Sequence, residues 1–194
     1  MFIVFEGIDG SGKTTQARLL ADFLESRGIL FVLTREPSDG AIGKQLRHLT
    51  SRLTPEEESV LFLEDRLHHF ETLIGPALKA GKHVICDRYY YSSAAYQGAQ
   101  GLNPDAILNK NRSVVPAPDI VFLIRVSVET AIMRIGKSRL AGLSVFEKTK
   151  DLQTVSAIYD SFQDPIIKRI DGEQTISKGH MQITNWLRLM GMNI

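Results

Sequence analysis

At 194 residues, with 43% hydrophobic and 23% charged side chains, the chain has the size and make-up of a globular protein with a substantial core. Lys and Arg total 23 against 22 Asp and Glu, a net charge of +1 that argues against a general polyanion binder and so against nucleic acid as a partner. No apolar run reaches the ~18 residues of a membrane span, the first residues read as a strand and not as a secretion signal, and the single Cys86 cannot close an internal disulfide, so a cytoplasmic enzyme is expected.

The chain opens on Phe2–Glu6, an apolar β-prone run, followed by Gly7-Ile8-Asp9-Gly10-Ser11-Gly12-Lys13-Thr14-Thr15. Gly7, Gly12, Lys13 and Thr14 satisfy G-x-x-x-x-G-K-[ST], with a strand before and a helical pattern, Lys13–Arg27, after. Glycine at 7, 10 and 12 lets the loop turn its N–H groups inward around a polyphosphate. The helix start adds unpaired N–H groups and the positive end of its dipole. Lys13 supplies a charge for the β and γ phosphates, and the Thr14 hydroxyl is placed to ligate Mg²⁺. A nucleoside triphosphate is the expected ligand; a glycine-rich turn with a surface lysine is the blander reading.

A second strand, Ile29–Thr34, leads into Arg35-Glu36-Pro37 and then into helical patterns over Gly40–Ser51 and Pro55–Ala80. On the latter, Val60, Leu63, Leu67, Phe70, Ile74, Ala77 and Leu78 make one stripe, read as the core face, with Phe62 and Arg66 to its side. An aromatic followed one turn later by an arginine can stack on a planar base and donate to its exocyclic oxygen. Taken alone, the pair reads as core edge and surface charge, and only its context favours a base.

His83–Asp87 is an apolar strand holding Cys86 as a small buried residue and ending in an aspartate. Asp87 can hold Mg²⁺ beside Thr14, directly or through water, and can also cap the following helix. Arg88, next in sequence, can clamp a phosphate with its fork of donors. Helices Tyr91–Gln100 and Pro104–Asn111, strand Asp119–Val126, helices Val128–Ile135 and Phe146–Phe162, a weak strand Ile166–Ile170 and helix Ile176–Met190 continue the alternation. The pattern predicts an α/β fold with a five-stranded, mainly parallel sheet, helices on both faces and ligands at the carboxyl ends of the strands. Asn109-Lys110-Asn111-Arg112 begins like a guanine-reading N-K-x-D, but Arg112 replaces the aspartate and the run is helical, so the match is accidental.

Thr34-Arg35-Glu36-Pro37, Phe62 to Arg66 with His69, Asp87-Arg88-Tyr89 and Ser92-Ser93-Ala94-Ala95-Tyr96-Gln97-Gly98 fall in the order and spacing of thymidylate kinases, and Thr15-Gln16 after the loop look like theirs too. The chain resembles this family from residue 1 to about Ile135, and less closely beyond. The resemblance implies a single domain of the P-loop NTPase fold and transfer of the ATP γ-phosphoryl group to dTMP with Mg²⁺. It also implies a homodimer packed through helices. It places the loop Gly7 to Thr15, Arg134 and Gln174 around ATP, the last from Asp171-Gly172-Glu173-Gln174, a segment that approaches the base through backbone groups. On the acceptor side it implies that Phe62 stacks on thymine, Arg66 donates to its O4, and Ser93 and Gln97 complete the base contacts. Tyr96 packs near the sugar and rejects a 2′-hydroxyl, while Asp9 meets the 3′-hydroxyl. Arg88, Arg35 and Arg47 are implied for the dTMP phosphate, with Glu36-Pro37 holding the segment beneath it. Ser38 departs from the glycine frequent after Glu-Pro, and Glu64 or Asp65 is expected to orient a neighbouring arginine.

Phosphoryl transfer needs positive charge around the migrating group. Some thymidylate kinases carry it inside the loop, where this chain has neutral Gly10 and Ser11. The cation is therefore expected on a lid at about 136–148, from Arg134-Ile135-Gly136-Lys137-Ser138-Arg139, with Lys137 or Arg139 reaching the transferring group. A solvated basic loop is the plainer alternative. Another nucleoside monophosphate or deoxynucleoside kinase, or a P-loop regulatory ATPase, are the competing readings of the whole chain.

Overall fold

Five strands, β1 (Phe2–Glu6), β2 (Phe31–Arg35), β3 (His83–Asp87), β4 (Ile120–Arg125) and β5 (Ile167–Asp171), form one sheet in the order β2-β3-β1-β4-β5, with every pairing parallel. These are the five strands the sequence predicts, their ends moved by two residues at most. The computed structural model describes residues 1–48, 53–136 and 145–194, the side chains of 145–149 excepted.

Strand residues alternate between two cores. Phe2, Val4, Val84, Cys86, Val121 and Leu123 pack on one face of the sheet, and Ile3, Phe5, Ile85, Ile120, Phe122 and Ile124 on the other. Helices α1 (Lys13–Ser26) and α9 (Ile176–Leu189) cover the second face through Leu20, Leu24, Ile183 and Leu187. The first face is covered by α4 (Gly75–Lys79), α5 (Tyr90–Ala99), α6 (Pro104–Arg112), α7 (Val128–Ile135) and α8 (Val145–Ser161). Strands buried on both faces read as continuous apolar runs, which is why they stand out in the sequence.

Helix α2 (Ala41–Arg47) ends before the expected Ser51, which lies outside the described residues. The pattern expected as one helix over Pro55–Ala80 is built in three pieces: α3 (Pro55–His69), a π-helical turn over Phe70–Ile74, and α4. Pro76 has no N–H to offer the carbonyl of Thr72, so the ladder widens by one residue just before it. Thr54 and Glu57 fix the start of α3 with reciprocal side-chain to backbone bonds.

The expected core stripe of α3 needs correction. Leu67, Phe70, Ile74, Ala77 and Leu78 join the core, but Val60 is 54% exposed. The fully buried side chains of α3 are polar: Asp65, Arg66 and His69. They face the segment after β2 and the start of α5, where hydrogen-bond partners replace water. No described helix is long and apolar enough to cross a membrane.

Candidate active site

The strand order puts the carboxyl ends of β1 and β3 side by side, with Phe5 level with Asp87. The loop after β1 therefore meets the residues after β3. Gly10 has φ +79° and its missing Cβ would strike the Ala131 carbonyl, so the loop needs glycine there for both conformation and space. Lys13, buried at the start of α1, donates Nζ to the Ile8 carbonyl at 2.8 Å, which arches the loop over its own side chain. Burial lowers the Lys13 pKa to about 7, and the positive charge of Arg88 adds to this, against the opposing carboxylates of Asp9, Asp87 and Glu6.

Thr14 donates its hydroxyl to Asp87 Oδ2. The other oxygen of that carboxylate, Oδ1, is buried with no hydrogen-bond partner. A hydroxyl and a half-used carboxylate at the mouth of the loop form a hard oxygen donor set, which fits Mg²⁺.

Arg88 follows with φ +77°, the one non-glycine residue at positive φ among those described. Its guanidinium donates to Ser92 Oγ at 2.9 Å, pairs with the Asp9 carboxylate, and lies 5.0 Å over the Tyr96 ring. Asp9 also donates its backbone N–H to the Tyr96 hydroxyl at 3.1 Å. Burial pushes the Asp9 pKa up, but Arg88 and Lys13 more than offset it, and the carboxyl sits below its usual range.

Two cavities meet at this cluster. One, of about 1070 Å³, covers the loop and is lined by Asp9, Gly10, Gly12, Lys13, Thr14, Thr15, Arg35, Glu36, Asp87, Arg88, Tyr96 and Arg134. The other, of about 250 Å³, runs between α3 and α5 and is lined by Asp9, Glu36, Pro37, Phe62, Arg66, Arg88, Ser93, Tyr96 and Gln97. They share Asp9, Glu36, Arg88 and Tyr96 as a common wall. A phosphate loop opening onto a second pocket lined by an aromatic and an arginine is the layout of a two-substrate phosphotransferase.

A family model described as thymidylate kinase matches residues 5–183. The chain belongs to the thymidylate kinase family. It is 44% identical over 177 residues to the thymidylate kinase of Desulfotalea psychrophila, covering 90% of this chain and 87% of that one. It is 42% identical over 197 residues to the probable thymidylate kinase of Thermococcus kodakarensis, covering 94% and 95%. The thymidylate kinase of Brachyspira hyodysenteriae is 40% identical over 174 residues, covering 89% and 85%.

Within this family member, most of the residues picked out by sequence line the paired cavities, and the exceptions are informative. Arg66 is 1% exposed: its Nε and Nη2 pair with Glu36, the latter at 2.7 Å, while Nη2 also donates to Ser93 Oγ and Nη1 to Asn111 Oδ1. It is neither a surface charge nor a mobile reader. Glu36 is held in turn by His69, whose other ring nitrogen meets Thr34 Oγ1 at 2.8 Å. Asp65 does not orient an arginine. It accepts from the Ser38 backbone N–H at 2.7 Å and the Ser38 hydroxyl at 2.6 Å, so Ser38 is tied down by its side chain where a glycine would have none.

Arg47 stands back from both cavities, donating to the carbonyls of Pro37 and Ser38 and to Asp39. Gly7 and Ile8 line a separate cleft toward the ends of β4 and β5. Arg134 reaches the Gly172 carbonyl at 2.9 Å and, with Ser11, Gly12, Thr15 and Gln174, lines a cavity of about 170 Å³ beside the loop. Lys137 and Arg139, and the lid from 137 to 144, lie outside the described residues.

Sequence reading missed Glu6, Ser92, Tyr159 and Asn111. Glu6 carried a signal, being the one charge inside the apolar run of β1. Asn111 falls within the incomplete N-K-x-D match; its Nδ2 donates to the Ile107 carbonyl while Oδ1 anchors Arg66.

Proposed function

We propose that this chain transfers the γ-phosphoryl group of ATP to dTMP, giving dTDP and ADP. The observation that carries the reading is the common wall: Asp9, Glu36, Arg88 and Tyr96 border both the phosphate loop and the pocket of Phe62, Arg66 and Gln97. A donor phosphate on the loop and an acceptor phosphate at Arg88 would then be neighbours, and the acceptor needs no general base because it is already ionised. The loop N–H groups, Lys13, Thr15 and Arg134 hold the triphosphate, with the base directed toward the cavity of Gln174. Thr14 and Asp87 would hold Mg²⁺, which would supply charge neutralisation on the phosphates.

On the acceptor side, Phe62 stacks on thymine and the fixed Arg66 donates to O4. Cytosine carries an amino donor at that position and is disfavoured. Gln97 Oε1, buried without a partner, is available to accept from the base. Ser93 lies beside it, and Tyr96 and Asp9 take the sugar. Arg88 holds the phosphate, aided by the exposed Arg35 from the open side; Arg47 steadies the turn at Pro37 and Ser38. Neutral Gly10 and Ser11 support a cation brought by Lys137 or Arg139. A homodimer packed through helices is supported by apolar Val60 and Leu73, both open to solvent.

Coupled detection of ADP with and without dTMP tests the reading. Strong stimulation by dTMP, weaker stimulation by dUMP and little by dCMP is the expected order, and hydrolysis that ignores dTMP overturns it.

A further inference from the structure

The carboxylate of Glu6 is fully excluded from water and accepts four hydrogen bonds. Oε1 takes the backbone N–H of Tyr89 at 2.8 Å and of Ser92 at 3.1 Å; Oε2 takes the hydroxyls of Ser92 at 2.6 Å and Tyr159 at 2.8 Å. Its place is the end of β1, one residue before the phosphate loop, but all its donors come from α8 and from the first turn of α5 and its flank. Helix α5 has no side-chain cap of its own. Glu6 supplies one from another strand, using both the orphan N–H groups and the positive helix end.

Two links run from this carboxylate to Arg88. The Tyr89 amide is the peptide that follows Arg88, and the Phe5 carbonyl accepts the Arg88 N–H at 2.9 Å on the other side. These two bonds, from consecutive residues of β1, bracket a residue whose φ of +77° a non-glycine side chain disfavours. The second link is Ser92: its hydroxyl donates to Glu6 Oε2 and accepts from Arg88 Nη1 at 2.9 Å. With its proton committed to Glu6, the Ser92 oxygen presents a lone pair to the guanidinium.

We propose that Glu6 is a positioning residue for phosphoryl transfer, holding the Arg88 backbone in its left-handed conformation and, through Ser92, its guanidinium at the wall between the two cavities. The inference rests on the reading of Arg88 as the ligand of the acceptor phosphate. A buried carboxylate is costly to desolvate, and among the described residues no cation pairs with this one, so its four donors hold it in place and are held by it. Tyr159 brings α8, the helix after the expected lid, to the same oxygen as the acceptor-side Ser92.

The test is a double-mutant cycle read by calorimetry with dTMP and, separately, with thymidine, which lacks the phosphate. Glu6→Gln keeps an acceptor for the two amides but turns a donor toward the hydroxyls of Ser92 and Tyr159. It is expected to weaken dTMP about tenfold and thymidine less than about twofold. In an Arg88→Ala background the same change is expected to cost dTMP nothing further, because the residue it acts through is gone. Losses that multiply in the double variant, or dTMP affinity unchanged by Glu6→Gln while Arg88→Ala lowers it, overturn the inference and leave Arg88 in place. Arg88→Ala weakening dTMP and thymidine alike removes the phosphate reading itself, and the inference with it. Should Glu6→Gln fail to fold, Ser92→Ala deletes the hydroxyl that touches both residues. It is expected to lower dTMP affinity and spare thymidine, and wild-type dTMP affinity in that variant overturns the inference.

Discussion

Thr14 and Asp87 share one hydrogen bond, and it uses only half of the carboxylate: Oδ2 accepts the Thr14 hydroxyl while Oδ1 is buried with no partner. A buried acceptor left unpaired costs free energy unless something else is coordinated there. With Mg²⁺ as that partner, Asp87→Asn is expected to raise the Mg²⁺ concentration for half-maximal dTDP formation by about 10–100-fold, the range seen when groups supporting a metal are altered. A Mg²⁺ titration at saturating ATP and dTMP reads this directly. Thr14→Val is expected to move it the same way, and EDTA to abolish turnover until Mg²⁺ is restored. An unchanged Mg²⁺ requirement in Asp87→Asn returns the carboxylate to a purely structural bond with Thr14.

Arg66 and Glu36 form a buried ion pair at 2.7 Å, with side chains 1% and 3% exposed. Removing one member of such a pair strands the other charge without water. Glu36→Ala is therefore expected to lower unfolding stability by about 3–5 kcal/mol in a urea titration. It is also expected to weaken thymidine binding, because Arg66 loses the carboxylate oxygen that receives both its Nε and its Nη2. Glu36→Gln keeps a neutral acceptor and should lose less stability. Equal stability of Glu36→Ala and the parent would mean that Asn111 and Ser93 alone hold the guanidinium.

Burial and the nearby Arg88 depress Lys13 to about 7 in the free protein, against 10.5 for an unperturbed lysine. Between those values the unfolded chain holds a proton the native state has released, so stability rises as pH climbs from about 7 toward 10.5, and the penalty is fully present below 7. A bound triphosphate surrounds Lys13 with negative charge and restores its proton. ATP binding at about pH 8 is accordingly expected to take up as much as about one proton, falling toward zero near pH 6. Calorimetry in two buffers of different ionisation enthalpy measures the uptake, and none at the higher pH contradicts a depressed Lys13.

The parts of this site that were legible in the sequence are those whose chemistry depends on neighbours along the chain. Gly7 to Thr15 is one continuous run, a loop that passes into the first turn of α1, and the five strands announce themselves because both faces of the sheet are covered. Asp87 and Arg88 follow from the end of β3 in the same way. What the sequence hid is contact across elements. Helical periodicity assigned α3 an apolar inner face that included Val60, yet its most buried side chains are Asp65, Arg66 and His69, since their partners Ser38, Glu36 and Thr34 come from the segment at the end of β2. Glu6 lies at the junction of β1, α5 and α8, with partners 83 to 153 residues away, and no spacing rule connects them. Asn111 belongs to no complete motif, and its partner Arg66 lies 45 residues away on another helix.

Phe62 offers the sharpest test of base recognition, because it touches the pocket without belonging to the buried network around Arg66. It is half-buried at the edge of α3, lining the 250 Å³ cavity with Gln97 and Tyr96. Base-on-aromatic stacking is worth about 1–3 kcal/mol per base, so Phe62→Ala is expected to raise KM for dTMP by about 5–150-fold with kcat and KM for ATP near their parent values. The same variant should narrow the preference for dTMP over dUMP. A single methyl contributes about 1–3 kcal/mol only in a pocket that closes around it, and loss of the ring opens that wall. Steady-state kinetics with both nucleotides separate the two effects. An unchanged KM for dTMP makes Phe62 part of the fold alone, while a raised KM with unaltered preference assigns the methyl contact to another side chain of the pocket.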